Sequence, residues 1–113
     1  MDDTATIPSR ALIPYNPDEG ISIKEAAAIA GKSQRTIRRW CAEYGIGRRI
    51  ANGNWIISRP ALHMLIEGDH EALTGYLDGA RAQFAPVARH FHQVGLGHLL
   101  MLREFGAEQR ASL

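Results

Sequence analysis

Residues 33–44 read SQRTIRRWCAEY, and this stretch predicts the central helix of the fold. On a helix, its large apolar side chains would form one buried stripe, because they recur at i, i+3, i+4 and i+7. They are Ile37, Trp40, Cys41 and Tyr44. The polar side chains off that stripe would face solvent; they are Gln34, Arg35, Arg38 and Arg39. Since Ser33 can cap the first turn, the stretch predicts a short helix with a basic outer face. Such a face suits a polyanion, and an α-helix fits the major groove of DNA.

The composition predicts one ordinary globular domain, with 113 residues, 45% hydrophobic and 22% charged. The formal net charge of +1 gives no indication of nucleic-acid binding, but the distribution of charge does. Six of the thirteen basic residues lie within residues 32–49, opposed there only by Glu43; they are Lys32, Arg35, Arg38, Arg39, Arg48 and Arg49. A basic cluster that spans a helix and a hairpin indicates a DNA-binding surface, and the alternative is a solvated helix face.

The only cysteine, Cys41, lies on the apolar stripe and is predicted to be a small core residue and not a reactive thiol. The N-terminus has no basic region followed by an apolar run. No stretch approaches the roughly 18 apolar residues of a membrane span. We therefore expect a cytoplasmic, nucleoid-associated protein that does not bind a membrane.

Residues 1–20 carry three prolines and no hydrophobic period. This predicts a flexible arm or a loosely docked extended segment, and the arm is preferred.

Two short helices are predicted on either side of a glycine-containing turn. Helix one should begin after Ser22, which forms an S-x-x-E capping box with Glu25. Gly31 should end it in the left-handed conformation. With the helix after Ser33, this is a helix-turn-helix whose second helix reads DNA.

The next stretch predicts a two-stranded β wing. Asn52-Gly53 favours a type I′ turn between strands 48–51 and 54–57. The first strand carries two arginines, Arg48 and Arg49. Their side chains and the turn would face the same way as the basic side chains of helix two. Since two strands alone are marginally stable, Trp55 or Ile56 would pack back on the helices.

Further helices should follow the wing, capped by Ser58 and Asp69, with Leu62, Leu65 and Ile66 of the first facing inward. Residues 96–105 are too apolar to stand alone in water and need a partner surface in their own domain or in another subunit. The predicted fold is therefore mainly α with a small two-stranded β wing. Its parts are an arm (1–20), a winged helix-turn-helix domain (21–68), a helical C-terminal extension for packing or oligomerisation (69–106, with homo-oligomer contacts through 84–105) and a frayed tail (107–113).

The run over residues 21–62, ISIKEAAAIAGKSQRTIRRWCAEYGIGRRIANGNWIISRPAL, resembles the MerR-like winged helix-turn-helix domain. Within that superfamily it looks most like the excisionase-type DNA-binding proteins of phages and integrative elements. The matching features are Lys24-Glu25-Ala26-Ala27, Gly31, Arg35-Thr36-Ile37-Arg38-Arg39-Trp40, Gly45, and Trp55-x-Ile57 before Ser58-x-x-Ala61-Leu62. Lys32 departs from the pattern, which usually has an apolar residue there. The C-terminal segments also lack the long coiled coil that dimerises the MerR regulators proper.

The resemblance implies that the start of helix two reads the major groove while the wing follows the DNA backbone. The base-reading residues would then be Gln34, Arg35 and Arg38. The backbone-binding residues would be Lys32, Ser33, Thr36, Arg39, Arg48, Arg49, Asn52, Gly53 and Asn54. Some of these arginines could instead pair with Glu43 or Glu25, and Arg39 is the one for which we expect it.

The sequence thus predicts a sequence-specific double-stranded DNA-binding protein without catalysis or cofactor, either an excisionase-like architectural factor or a transcriptional regulator. Besides DNA, a recombinase or RNA polymerase is a possible partner. One alternative is the DNA-binding small subunit of a phage packaging complex. Another is a protein-interaction module that uses the C-terminal helices.

An enzyme is not predicted, because the chain has no phosphate-binding loop, nucleophile elbow or cysteine-rich zinc motif. The histidines are the best metal-ligand candidates: His63, His70, His90, His92 and His98. His90 and His92 are two apart and point in different directions on a helix, whereas a metal-binding pair needs i, i+4 spacing. Surface or half-buried histidines and no metal site are therefore expected.

Overall fold

The computed structural model describes residues 11–12, 16–49, 51 and 53–100. The elements in chain order are β1 (Gly20–Ser22), α1 (Ile23–Ala30), α2 (Gln34–Tyr44), β2 (Gly47–Arg49), β3 (Trp55–Ser58), α3 (Arg59–Glu67), α4 (His70–Leu77) and α5 (Ala85–Gln93). Residues 97–100 are again helical. The predicted helix-rich fold with a small β wing is confirmed.

The helix-turn-helix is defined by its caps. The Ser22 hydroxyl accepts the Glu25 N–H at 3.0 Å, and the Glu25 carboxylate accepts the Ser22 N–H at 3.1 Å, so the predicted capping box is present. Gly31 follows with φ of 67°, the left-handed conformation that ends a helix without a Cβ clash. The Ser33 hydroxyl then accepts the Thr36 N–H at 3.1 Å and begins α2. Each boundary is thus determined by residues at that boundary.

The sheet is larger than predicted. Its order is β1-β3-β2, all antiparallel, so that Ile21 of β1 and Gly47 of β2 both pair with Ile57. The prediction of a two-stranded wing is wrong because β1, just before α1, supplies a third strand on the far side of β3.

The turn of the wing also differs from the prediction. Arg49 pairs with Trp55, which leaves residues 50–54 between the strands and shifts the register by one from that of a two-residue turn at Asn52-Gly53. Ala51, with φ of 54°, takes a left-handed conformation within this longer connection. Asn52 lies outside the described residues.

The stripe of α2 is buried as predicted at Ile37 and Cys41, and Trp40 is partly buried. Tyr44 is 40% exposed, so its predicted place on the buried stripe is wrong. Ile37 and Cys41 belong to one buried core with Ile57 and Leu62, and α2 packs mainly on α1. Burial raises the pKa of the Cys41 thiol to about 11, as expected for a core residue. In α3, Met64 is fully buried while Ile66 is 45% exposed. The inward placement of Ile66 is therefore wrong.

The C-terminal helices join the same core. α4 and α5 pack on α3 and on each other. Leu96, Leu99 and Leu100 are buried in this core as well. For the part of residues 96–105 that the structure describes, the partner surface is therefore the protein's own domain; residues 101–105 lie outside it.

The N-terminal segment is docked in its described parts. The Leu12 N–H donates to Tyr76 Oη at 3.0 Å, and Tyr76 Oη donates to the buried Glu19 carboxylate. The Ser58 hydroxyl donates to the same carboxylate at 3.4 Å. A flexible arm is therefore wrong for residues 11–12 and 16–20, and the docked alternative applies there; residues 1–10 and 13–15 lie outside the described part.

No helix within the described ranges has the length and apolarity that crossing a membrane would require.

Candidate nucleic-acid interface

A concave cleft of about 470 Å³ lies between the start of α1, the first two turns of α2 and the wing. Its lining includes one cation from each of these elements: Lys24 of α1, Arg38 of α2 and Arg49 of β2. The remaining lining residues are Ser22, Ile23, Gln34, Gly53, Asn54 and Trp55. This described lining contains three cations and no carboxylate, while the Glu25 carboxylate next to it accepts the Ser22 N–H. The charges at the cleft are therefore predominantly positive.

The α2 side of the cleft follows from the helix period. Gln34 and Arg38 are one turn apart and therefore share a face, while Ile37 and Cys41 turn into the core. Both cleft side chains are exposed. An exposed amide and guanidinium one turn apart can each form two hydrogen bonds with a base edge.

The wing side of the cleft is stabilised by a hydrogen bond within the hairpin. Arg49 Nε donates to the Gly53 carbonyl at 3.0 Å. This bond holds the connection between the strands toward β2 and leaves the rest of the exposed guanidinium facing the cleft. Gly53 and Asn54 are thereby brought to the same side as Arg38.

Arg48 lies on the other side of the wing. Its guanidinium donates from a terminal nitrogen to the Leu12 carbonyl at 3.2 Å and is partly buried there. Successive side chains of a strand point to opposite faces. The expectation that Arg48 and Arg49 face the same way is therefore wrong: Arg48 contacts the N-terminal segment.

The outer face of α2 carries two further arginines beyond the cleft lining. Arg35 is exposed. Arg39 lies 3.7 Å from the carboxylate of Glu43, the pairing that the sequence led us to expect. Because both partners are largely exposed, this ion pair contributes little and leaves the guanidinium available.

Three other predicted backbone contacts are distributed differently. The hydroxyls of Ser33 and Thr36 bond to each other at 3.1 Å, in addition to the cap that Ser33 provides. Lys32 lies beside Trp40 and Tyr44, in a groove separate from the cleft. The structure therefore brings together Gln34, Arg38, Arg49, Gly53 and Asn54 and leaves Lys32 and Arg48 apart from them.

Lys24 is the cleft cation that sequence reasoning missed. It reaches the cleft because β1 pairs with β3, with Ser22 opposite Ile56, and this places the first turn of α1 beside the wing. That pairing joins residues far apart in the chain. No local signal in the sequence could therefore have identified Lys24.

Two of the five histidines, His63 and His90, form a cluster with Asp69. His63 Nδ1 and His90 Nδ1 are 2.8 Å apart, and His90 Nε2 lies 2.8 Å from Asp69 Oδ2. The Arg89 guanidinium also donates to Asp69 at 3.0 Å. His90 is more buried than predicted. This network fastens α5 to α3 and to the cap of α4.

The cluster shifts two pKa values. Burial, and then the neighbouring His90, lower the pKa of His63, while Glu67 opposes the shift. Hydrogen bonding to His90 is the main cause that lowers the pKa of Asp69. Across the described part of the chain, no three His, Cys, Asp or Glu side chains are grouped as a metal site would need.

Neither a family model, nor a characterised protein, nor a solved structure matches this chain. The class of protein is therefore defined by geometry: a helix-turn-helix with a β wing, continued by helices that share its core, and with a basic cleft between helix and wing.

Proposed function

We propose that the protein binds double-stranded DNA sequence-specifically, with α2 in the major groove and the wing along the sugar-phosphate backbone. The observation that carries the proposal is the convergence of Lys24, Arg38 and Arg49, from three elements, on one cleft whose described lining has no carboxylate. Multiple phosphates along a duplex are the ligand that such spaced cations complement.

The roles follow from position. Arg38 can bind the O6/N7 edge of guanine through two hydrogen bonds, and Gln34 can do the same for adenine. Lys24 and Arg49, at the two borders of the cleft, contact phosphates and set the orientation of the protein. Arg35, exposed on the same helix, is the third base-reading candidate.

Within this class, the resemblance of residues 21–62 to excisionase-type proteins favours an architectural factor or transcriptional regulator of a phage or integrative element. Cooperative binding to several DNA sites in direct orientation, with marked bending of the DNA, would support the architectural role. A single palindromic site would support transcriptional regulation, since operator symmetry mirrors a two-fold protein dimer.

The test is selection of bound sequences from random duplexes, followed by titrations of the selected site. Arg38→Gln should weaken binding by about 1–3 kcal/mol and relax preference at one base pair. Arg59→Gln is the matched control, because it removes the same charge from an exposed arginine of α3 that does not line the cleft. No enriched sequence at low ionic strength, or equal losses for the two variants, would refute the proposal.

A further inference from the structure

One surface outside the cleft exposes large apolar side chains from three helices. Ile29 of α1, Tyr44 of α2 and Ile66 of α3 are 52%, 40% and 45% exposed. Each of them lines one of two grooves that both include residues of α3 and the end of α1. We refer to the two grooves and their lining residues together as the apolar face.

The grooves have the size of side-chain pockets. The first, of about 270 Å³, is lined by Ile29, Arg59, Leu62, His63, Gln93 and Val94. The second, of about 240 Å³, is lined by Ala30, Lys32, Trp40, Tyr44, Leu65 and Ile66. Both are smaller than the roughly 300–1,000 Å³ of small-molecule sites. They suit apolar anchors of an amphipathic helix, which docks through side chains one turn apart.

The charge of the apolar face selects the partner. Arg59 lines the first groove and Lys32 the second, and no carboxylate is among the described residues that line either. The acidic residue nearest to Lys32 in sequence is Glu25, whose carboxylate accepts the Ser22 N–H at 3.1 Å. The one nearest to Arg59 is Glu67, which lies 3.9 Å from His63. Among the described residues, neither Lys32 nor Arg59 forms an ion pair, so carboxylates on the partner would complement them.

The apolar face is separate from the cleft. Arg38 lines the cleft and Trp40 lines the second groove. Two residues along a helix correspond to about 200° of rotation. Both surfaces can therefore be occupied at once.

We propose that the apolar face docks an acidic amphipathic helix of a partner protein. Its apolar side chains fill the two grooves, and its carboxylates pair with Lys32 and Arg59. This interaction goes beyond DNA binding and does not depend on it.

The test uses the full chain and a displayed library of random peptides as the probe. Selected peptides should carry large apolar residues three or four apart, flanked by Asp or Glu. Their amide-shift perturbations on the protein should centre on Ile29, Tyr44 and Ile66. Ile66→Glu should abolish binding. The double variant Lys32→Gln/Arg59→Gln should weaken binding about tenfold, equivalent to about 1.4 kcal/mol.

The matched control is Lys24→Gln/Arg38→Gln, which removes the same charge from the cleft and should leave peptide affinity unchanged. Unchanged melting temperatures would show that the variants are folded. Three outcomes would overturn the proposal. One is that the selected peptides carry no acidic residues, or that they bind outside the apolar face. Another is a wild-type dimer that Ile66→Glu converts to monomer, which would make a second copy the occupant. The third is tighter peptide binding by Phe105→Asp, which would make the chain's own tail the occupant.

Discussion

Arg48 and Arg49 are adjacent in sequence and have identical side chains, yet the strand turns them to opposite sides of the wing. Arg48 donates to the Leu12 carbonyl, and Arg49 lines the cleft. The two arginines therefore have different roles although their side chains are the same. We expect them to respond differently to the same substitution.

Arg48→Ala should lower the free energy of unfolding by about 1.5–3 kcal/mol, the range for a hydrogen bond to a charged group, with little change in DNA affinity. Arg49→Ala should leave stability nearly unchanged and reduce the slope of log affinity against log salt by about one. Urea denaturation and salt-dependent DNA titrations measure the two quantities. A larger DNA defect for Arg48→Ala would contradict this assignment.

Gly47 is required where the wing approaches α2. A Cβ there would lie 2.7 Å from the Ile56 carbonyl oxygen and 3.0 Å from Cys41 Sγ. Because backbone supplies the closest atom, Gly47→Ala should cost about 2–3 kcal/mol by overpacking. Gly31→Ala is the control: it has open space and only a left-handed φ, so about 1 kcal/mol is expected. Thermal denaturation of both variants compares the two costs, and equal losses would argue against a steric role.

At the scale of elements, the helix boundaries could be predicted because their causes are local. Ser22, Ser33, Ser58 and Asp69 each accept a backbone N–H three residues ahead. Such capping depends on side chains within the same turn, so the sequence pattern contains it.

The sheet could not be predicted to the same extent, because its pairing is not local. β1 is three residues long and is stabilised by contact with β3, such as Ile21 opposite Ile57. The longer connection around Ala51 likewise shifted the wing register by one residue. The third strand brings Lys24 to the cleft, whereas the alternation of side chains along β2 turns Arg48 to the N-terminal segment.

The half-buried position of His63 beside His90 makes the stability of the fold dependent on pH. Because His90 Nε2–H donates to Asp69, His90 Nδ1 accepts a hydrogen bond from the Nδ1–H of His63. Burial of the His63 ring, and then the neighbouring His90, disfavour a second proton on His63. The pKa of His63 in the folded protein is lowered from its ordinary 6.5. The unfolded chain therefore binds the proton more tightly, and stability present above pH 6.5 should be lost as pH falls toward the folded-state pKa.

Urea denaturation between pH 7.5 and 5 measures this loss. His63→Gln should flatten the dependence, while His70→Gln, at an exposed position, should retain it. A further decrease is expected below pH 3.8, where the lowered pKa of Asp69 acts with the same sign. A free energy of unfolding that rises as the pH is lowered from 6.5 to 5 would contradict the assignment of this pH dependence to His63.

At the scale of the whole molecule, one buried polar network connects segments that the sequence assigned to separate parts. Tyr76 of α4 bonds to Leu12 and Glu19 of the N-terminal segment, and Glu19 also bonds to Ser58 at the junction of β3 and α3. The Arg81 guanidinium stacks 4.1 Å from the centre of the Tyr76 ring. The arm, the wing and the C-terminal helices are therefore expected to unfold together.

Tyr76→Phe tests this connection. It leaves the Leu12 N–H and one Glu19 oxygen without their shared partner, which should cost about 1–3 kcal/mol. Tyr44→Phe removes the same hydroxyl from an exposed site and should change stability by less than about 0.5 kcal/mol. Tryptophan fluorescence and far-ultraviolet circular dichroism should follow one coincident transition in urea. Separate transitions would show that the C-terminal helices form an independent unit.

The burial of Cys41 has a practical consequence. Its thiol is the only one in the chain, and its pKa of about 11 keeps it protonated and unreactive at neutral pH. A cysteine introduced at the exposed Asn54 position would then react selectively with a maleimide dye in the native protein. A fluorophore at the wing tip could thus report energy transfer to a labelled oligonucleotide without any need to remove the natural sulfur.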